Sequence, residues 1–151
     1  MSQLPPADPG FRQRLHDSFA RQAVMQTLGA RLEVADAGRV VIVMAHKPGL
    51  TQQHGFLHAG IVSTALDSAC GYAAFTLMPA DAAVLTIEFK VNLLSPARGP
   101  WFRIEGLVIK AGRTISVAEG KAWQHEVGGA ETLCATMTAT LMTVQGRGLT
   151  H

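Results

Sequence analysis

Charge is scarce in this sequence: Asp, Glu, Lys and Arg make up 16% of its 151 residues, against 48% hydrophobic residues and a mean hydropathy of +0.19. The net charge is only +2 and the basic residues are scattered, so the chain carries no electrostatic footprint for nucleic acid. Cysteine is sparser still. Cys70 and Cys134 form neither a CxxC nor a zinc-ligand spacing, which excludes a disulfide framework and makes a reducing cytoplasm the expected compartment. No apolar run is long enough to cross a bilayer, and MSQLPPADPGFRQRLHDSF lacks the apolar core of a signal peptide. No membrane partner is expected. What remains is one ordinary domain, unusually apolar for its size, which points to apolar surface buried between subunits.

The pattern along the chain predicts one such domain over residues 10–144, with a loose Pro-rich arm at 1–9 and a mobile tail at 145–151. Phe11, Leu15, Phe19 and Ala23 recur every four residues, predicting one amphipathic helix from Gly10 to Leu28, ended by Gly29. RVVIVMA (39–45) reads as a short strand. A helix is expected from about His58 to Thr76, apolar or small on nearly every side and therefore surrounded by protein. In VLTIEFKVNLL (84–94), Leu85, Ile87, Phe89, Val91 and Leu93 alternate with Thr86, Glu88, Lys90 and Asn92, the period of a sheet with one dry face. Three more strands follow, joined by turns at Pro96–Pro100, Ala111-Gly112 and Gly128-Gly129. Consecutive strands on short turns pair antiparallel, and such a sheet buries a helix by curling round it. The expected class is α+β, an antiparallel sheet wrapped around a long central helix.

That central helix holds one formal charge, Asp67, in IVSTALDSACGYAAF. Carboxylates are rarely buried unless paired, and no Lys or Arg lies within a turn or two. Two readings stay open on the residues alone: a structural carboxylate held by hydrogen bonds, or a reactive base or nucleophile in a partly dry pocket. His58-Ala59-Gly60 stands at the helix entry, where unpaired amides and the helix dipole can hold a developing oxyanion. Ala59 and Asp67 lie about 12 Å apart along one helix. A single helix cannot bring both to one atom, whereas a two-fold partner can. His54 and His58 have an i, i+4 spacing but no third ligand, so no metal is expected. The absence of GxSxG argues against a serine hydrolase.

The segment HGFLHAGIVSTALDSACGYAA, followed by TIEFKVNLLSPA, resembles the hotdog-fold thioesterases, specifically the PaaI-like acyl-CoA thioesterases. The resemblance covers nearly the whole chain after residue 10. It implies the hotdog fold, thioester hydrolysis of an acyl-CoA without a cofactor, and a homodimer or dimer of dimers with the active site between subunits. It also implies roles. Asp67 would be the catalytic carboxylate, and Ala59, where the family usually has Gly, would offer its backbone N–H to the thioester carbonyl. Gln52, or its neighbour Gln53, would contact the thioester or the water that Thr86 helps to place. His54, Gly55, His58 and Gly60 would shape the loop and helix entry. Phe56 and Tyr72, with Leu57, Phe75 and Leu77, would line the acyl pocket. Lys90 and Arg113, ahead of Arg98 and Lys110, would meet the CoA phosphates. Two alternatives remain: a hotdog hydratase or dehydratase pairing His54 or His58 with Asp67, and a non-catalytic acyl-CoA binding or sensing module.

Overall fold

The computed structural model describes residues 5–149. In chain order it contains α1 (Phe11–Arg21), α2 (Ala23–Leu28), β1 (Arg31–Asp36), β2 (Arg39–Ala45), a 3₁₀ turn at Pro48–Leu50, α3 (Ala59–Phe75), β3 (Ala83–Leu93), β4 (Trp101–Lys110), β5 (Ile115–His125) and β6 (Glu131–Val144). The six strands form one sheet in the order β1-β2-β4-β5-β6-β3, antiparallel throughout. The sheet curls about α3, which packs on β2, β3, β4, β5 and β6. Of the arm and tail expected at the chain ends, residues 1–4 and 150–151 lie outside the described residues. Asp8 is tied to the body by an ion pair with Arg14 at 2.9 Å.

The sequence dictates why the helix lies so close to the sheet. Ala65, Leu66, Ala69, Cys70 and Ala73 are fully buried, and most are small. Gly106 on β4 and Gly120 on β5 stand directly opposite one another and form a trough beneath them. A Cβ at Gly106 would overlap the Ala69 carbonyl, and one at Gly120 would come within 2.9 Å of Cys70 Sγ and 3.0 Å of Leu66. Any larger side chain there would lift the helix off the sheet. Arg14 secures the far end of α3. Its guanidinium stacks 4.1 Å from the Phe75 ring and donates to the Met78 carbonyl at 2.9 Å, a favourable place for a cation beside the helix C-terminus.

Three expectations are corrected. The helix read over Gly10–Leu28 is two, because Gln22 leaves the helical region (φ −76°, ψ 98°) between α1 and α2. A strand was missed: β1 pairs with β2 through a turn in which Gly38 adopts φ +78°, a conformation that suits glycine. The alternation in β3 does not bury one face beneath this chain's own core. Leu85, Ile87, Phe89 and Leu93 are 44–54% exposed, and β3 is an edge strand.

Candidate active site

Asp67 faces a cleft of about 300 Å³ lined by Gln22, Ser68, Gly71, Tyr72 and the start of β3 from Val84 to Thr86. Its carboxylate is half-buried, and Oδ1 accepts a hydrogen bond of 2.7 Å from the Thr86 hydroxyl. Oδ2 has no partner among the described residues. A register shift between Thr86 and Glu88 interrupts the β3–β6 ladder beside this contact. Such bulges re-aim side chains, and here the bulge adjoins the hydroxyl that meets Asp67. Asp67 belongs to none of the ion pairs found among the described residues.

Ala59 opens into a second cleft, of about 380 Å³, lined by Gln52, Phe56, Leu57, Val62, Cys134 and the segment from Leu93 to Ala97. His58 is the N-cap of α3, and its Nδ1 accepts from the Gly60 N–H at 2.9 Å. The Ala59 N–H, one position earlier, has no acceptor among the described residues. It is an unpaired amide at the positive end of a 17-residue helix. The walls of this cleft are loops, and they are braced. Buried Gln124 accepts from the N–H groups of Arg98 (2.8 Å) and Gly99 (3.0 Å), and the Ala97 carbonyl accepts from the Leu57 N–H at 2.9 Å. Gln124 was not singled out from the sequence, because a glutamine on a strand carries no signal of its burial.

The remaining expected residues fall in three places. Gln52 lines the Ala59 cleft, and its side-chain oxygen caps the His54 N–H. Gln53 and His54 are exposed in the same turn, where Gly55 adopts φ +83° and accepts from His46 through its carbonyl at 2.9 Å. Phe56 lies in the Ala59 cleft beneath the Arg98 guanidinium, 5.3 Å from its ring centre. Tyr72 lies in the Asp67 cleft, its hydroxyl 3.2 Å from Ser18, and burial pushes its phenol pKa up. Lys90 and Arg113 are exposed and line neither cleft. Phe75 and Leu77 were expected in the acyl pocket. Phe75 is instead fully buried in the core, and Leu77 packs at Gly38.

Neither cysteine is a nucleophile in this setting. Burial, with the charges of Asp67 and Glu119, pushes the Cys70 thiol up to about 12. Burial likewise raises Cys134 to about 11. Among the described residues no three His, Cys, Asp or Glu side chains converge as a metal site, and no helix is long and apolar enough to cross a membrane. The chain does not bring His54 or His58 to Asp67. His58 is spent on capping α3, and Asp67 is met by Thr86.

Residues 54–131 match the model of the thioesterase superfamily. A protein of Saccharolobus solfataricus, named provisionally as an esterase, is 37% identical over 64% of this chain and 68% of its own. The crystal structure of a thioesterase family protein from Silicibacter pomeroyi is 58% identical, with a TM-score of 0.89 over 91% of this chain and 100% of that one. The E. coli PaaI protein, from the phenylacetic acid degradation operon, shares the fold at 17% identity, with a TM-score of 0.82 over 93% of this chain and 97% of its own. With a six-stranded antiparallel sheet wrapped round one central helix, the chain has the hotdog fold and belongs to the thioesterase superfamily, as a thioester hydrolase.

Proposed function

We propose that the chain hydrolyses acyl- or aryl-CoA thioesters to the free acid and CoA, in sites that two copies of the chain share. The observation that carries this reading is that the two clefts lie at opposite ends of one open edge strand. β3 begins beside Asp67 with Val84, Leu85 and Thr86, and ends beside Ala59 with Leu93 and Leu94. Antiparallel pairing of β3 with β3 of a second copy, about a two-fold axis near Phe89 and Lys90, sets Thr86 of one chain opposite Leu93 of the other. Asp67 of each copy then meets the Ala59 amide of the other. The same pairing satisfies the open N–H and C=O groups of the edge and covers apolar side chains that one chain leaves in water.

In this site the thioester carbonyl oxygen accepts from the Ala59 N–H, where the helix dipole favours the negative charge that develops. Asp67 holds one oxygen on Thr86 and directs the other at the carbonyl carbon. It acts either by attacking that carbon, to form an anhydride that water then cleaves, or by taking the proton from a water that attacks it. In both routes the carbon–sulfur bond breaks, CoA leaves as thiolate, and water supplies the oxygen of the acid and the proton of the thiol. Gln52 lines the Ala59 cleft and Gln53 does not, which supports Gln52 as the amide that touches the thioester or the water. For the CoA phosphates, Arg98 joins Lys90 and Arg113, a role supported by its stack on Phe56, which lines that cleft.

Thiol release from a panel of short, medium, long and aromatic acyl-CoAs tests the reading. Wild type should turn over at least one ester, and Asp67→Asn, folded and of the same oligomeric state, should lose about 10²–10⁴-fold in rate. An Asn variant with unchanged turnover, or a wild type that binds acyl-CoA and releases no thiol, contradicts it.

A further inference from the structure

A third cavity, of about 370 Å³, lies on the face of the sheet turned away from α3 and shares no residue with either cleft. That volume falls among those of small-molecule sites. Strand register explains how the cavity forms. Phe102 and Ile104 point into the core, so their neighbours Trp101 and Arg103 point outward. Trp101 stands in one cross-strand row with Ala45 on β2 and His125 on β5. It stacks on the His125 ring, with 3.4 Å between ring centres and 11° between planes. Glu131 Oε1, 3.0 Å from His125 Nε2, holds that ring in place. The stack takes the indole face on the β5 side. On the β2 side the next residue in the row is Ala45, whose methyl group is too small to cover the other face, and Trp101 stays 40% exposed. The cavity is the gap that this leaves. Trp101 forms one wall, Val43 and Ala45 the floor, and Arg31 and Glu33 of β1 the far wall.

The charges around this notch are open. On the same face, Arg39, Arg103, Glu105, Glu119 and Lys121 are paired with one another or with Glu131. Arg31 and Glu33 belong to none of the ion pairs found among the described residues. A second cation stands at the Gly29 rim. A Cβ on Gly29 would collide with the Lys47 ammonium, whose bond to the Thr27 carbonyl is long, at 3.4 Å. An ammonium has three donors, so others remain for a ligand.

These groups define what fits. A bare indole face takes a planar ring, and the two fused rings of a purine match it in area. A carboxylate accepts hydrogen bonds and cannot donate, so the ring has to carry an N–H. Two cations against one carboxylate call for an anionic group on the same ligand. We propose that this notch binds a purine nucleotide, with its base stacked on Trp101, its amino group donating to Glu33, and its phosphate accepting from Arg31 and Lys47. The site is separate from the two clefts and independent of how they act. An aromatic amino acid also offers a ring and both charges, but it is neutral overall and leaves one cation unmatched.

The test is calorimetric titration of the intact protein with AMP, GMP, ribose phosphate and L-tryptophan, for wild type, Trp101→Ala and Ala45→Leu. Wild type should bind AMP or GMP with a Kd below about 1 mM, and ribose phosphate about tenfold more weakly or worse. Trp101→Ala should weaken the nucleotide by about tenfold. Ala45→Leu keeps the indole but fills the slot beside it, and should weaken the nucleotide as much. It decides the matter if Trp101→Ala misfolds. Acyl-CoA carries a purine nucleotide of its own, so KM for a hydrolysed ester is measured beside the titrations and should stay within about twofold in both variants. A KM that rises in step with the nucleotide Kd would seat the substrate's own ring in the notch and overturn a separate site. Nucleotide binding that is absent, unchanged in both variants, or weaker than that of L-tryptophan overturns the proposal outright.

Discussion

The two clefts along α3 are built in opposite ways. The Asp67 cleft is walled by regular structure: the middle of α3 on one side, the first residues of β3 on the other, and the α1–α2 break at its end. The group proposed to react there is a side chain, held by one hydroxyl at 2.7 Å. The Ala59 cleft is walled by the turns at 51–58 and 94–97, and the group proposed to act there is a backbone amide, which among substitutions only proline removes. A carboxylate has to be aimed and partly dried, which rigid elements do well. An amide at a helix start is aimed already by the helix, and the protein has only to keep the approach open. The comparison predicts that the Asp67 end is sensitive to single side chains and the Ala59 end to backbone and brace.

The largest effect at the Ala59 end comes from taking its N–H away. Ala59 is the first residue of α3, where proline is well tolerated, and His58 already has the extended backbone (φ −59°, ψ 139°) that a following proline requires. Ala59→Pro should therefore fold normally and lose about 10²–10³-fold in kcat. A normal rate would show that this amide does not meet the reacting oxygen. Gln124→Leu comes next. It strips the brace from Arg98 and Gly99 and leaves their N–H groups unpaired, so it should cost about 2–4 kcal/mol of stability, read by urea denaturation, and loosen the Ala59 cleft. Thr86→Val is smaller, at about tenfold in kcat, because it removes one hydrogen bond to Asp67 without displacing the carboxylate. If it equals Asp67→Asn, then Thr86 does more than orient.

The smallest effect concerns the thiols. Both cysteines should resist alkylation of the native protein at pH 8, because their thiolates form only near 11 and 12. The linkage has a definite sign. An unfolded cysteine ionises near 9, whereas buried Cys70 stays neutral up to about 12, so the thiols leave stability unchanged below pH 9 and lower it above. Cys70→Ala should flatten that alkaline decline, measured as Tm against pH.

The same contrast separates what was legible in the sequence from what was not. Helix α3 was legible nearly to its ends, because an apolar surface all round has only one home, and Asp67 stood out against it. Ala59 was legible as a helix entry, and its distance along the helix from Asp67 is what motivates the proposal of a second chain. The alternation of β3 was legible, but not that Leu85, Ile87, Phe89 and Leu93 stand exposed on an edge strand of this chain, because periodicity does not report what faces the apolar side. The β1–β2 hairpin was missed because a six-residue strand carrying Arg31, Glu33 and Asp36 looks like a polar link. The contact between Thr86 and Asp67 joins residues 19 apart and was not legible; the resemblance singled out Thr86 only as a residue that helps to place the water. Gln124 was invisible because it is an unremarkable polar residue whose role is set by a partner from a distant element, the loop at 98–99.

The central claim is that each site takes Asp67 from one chain and the Ala59 amide from another, and co-expression of Asp67→Asn with Ala59→Pro tests it most directly. Each variant alone should be nearly inactive. Random pairing makes half of the dimers mixed, and each mixed dimer has one site with both groups intact. The co-expressed protein should therefore recover about a quarter of wild-type activity per site. Recovery at that level is the result the account predicts; activity no higher than that of the two variants assayed apart would contradict it.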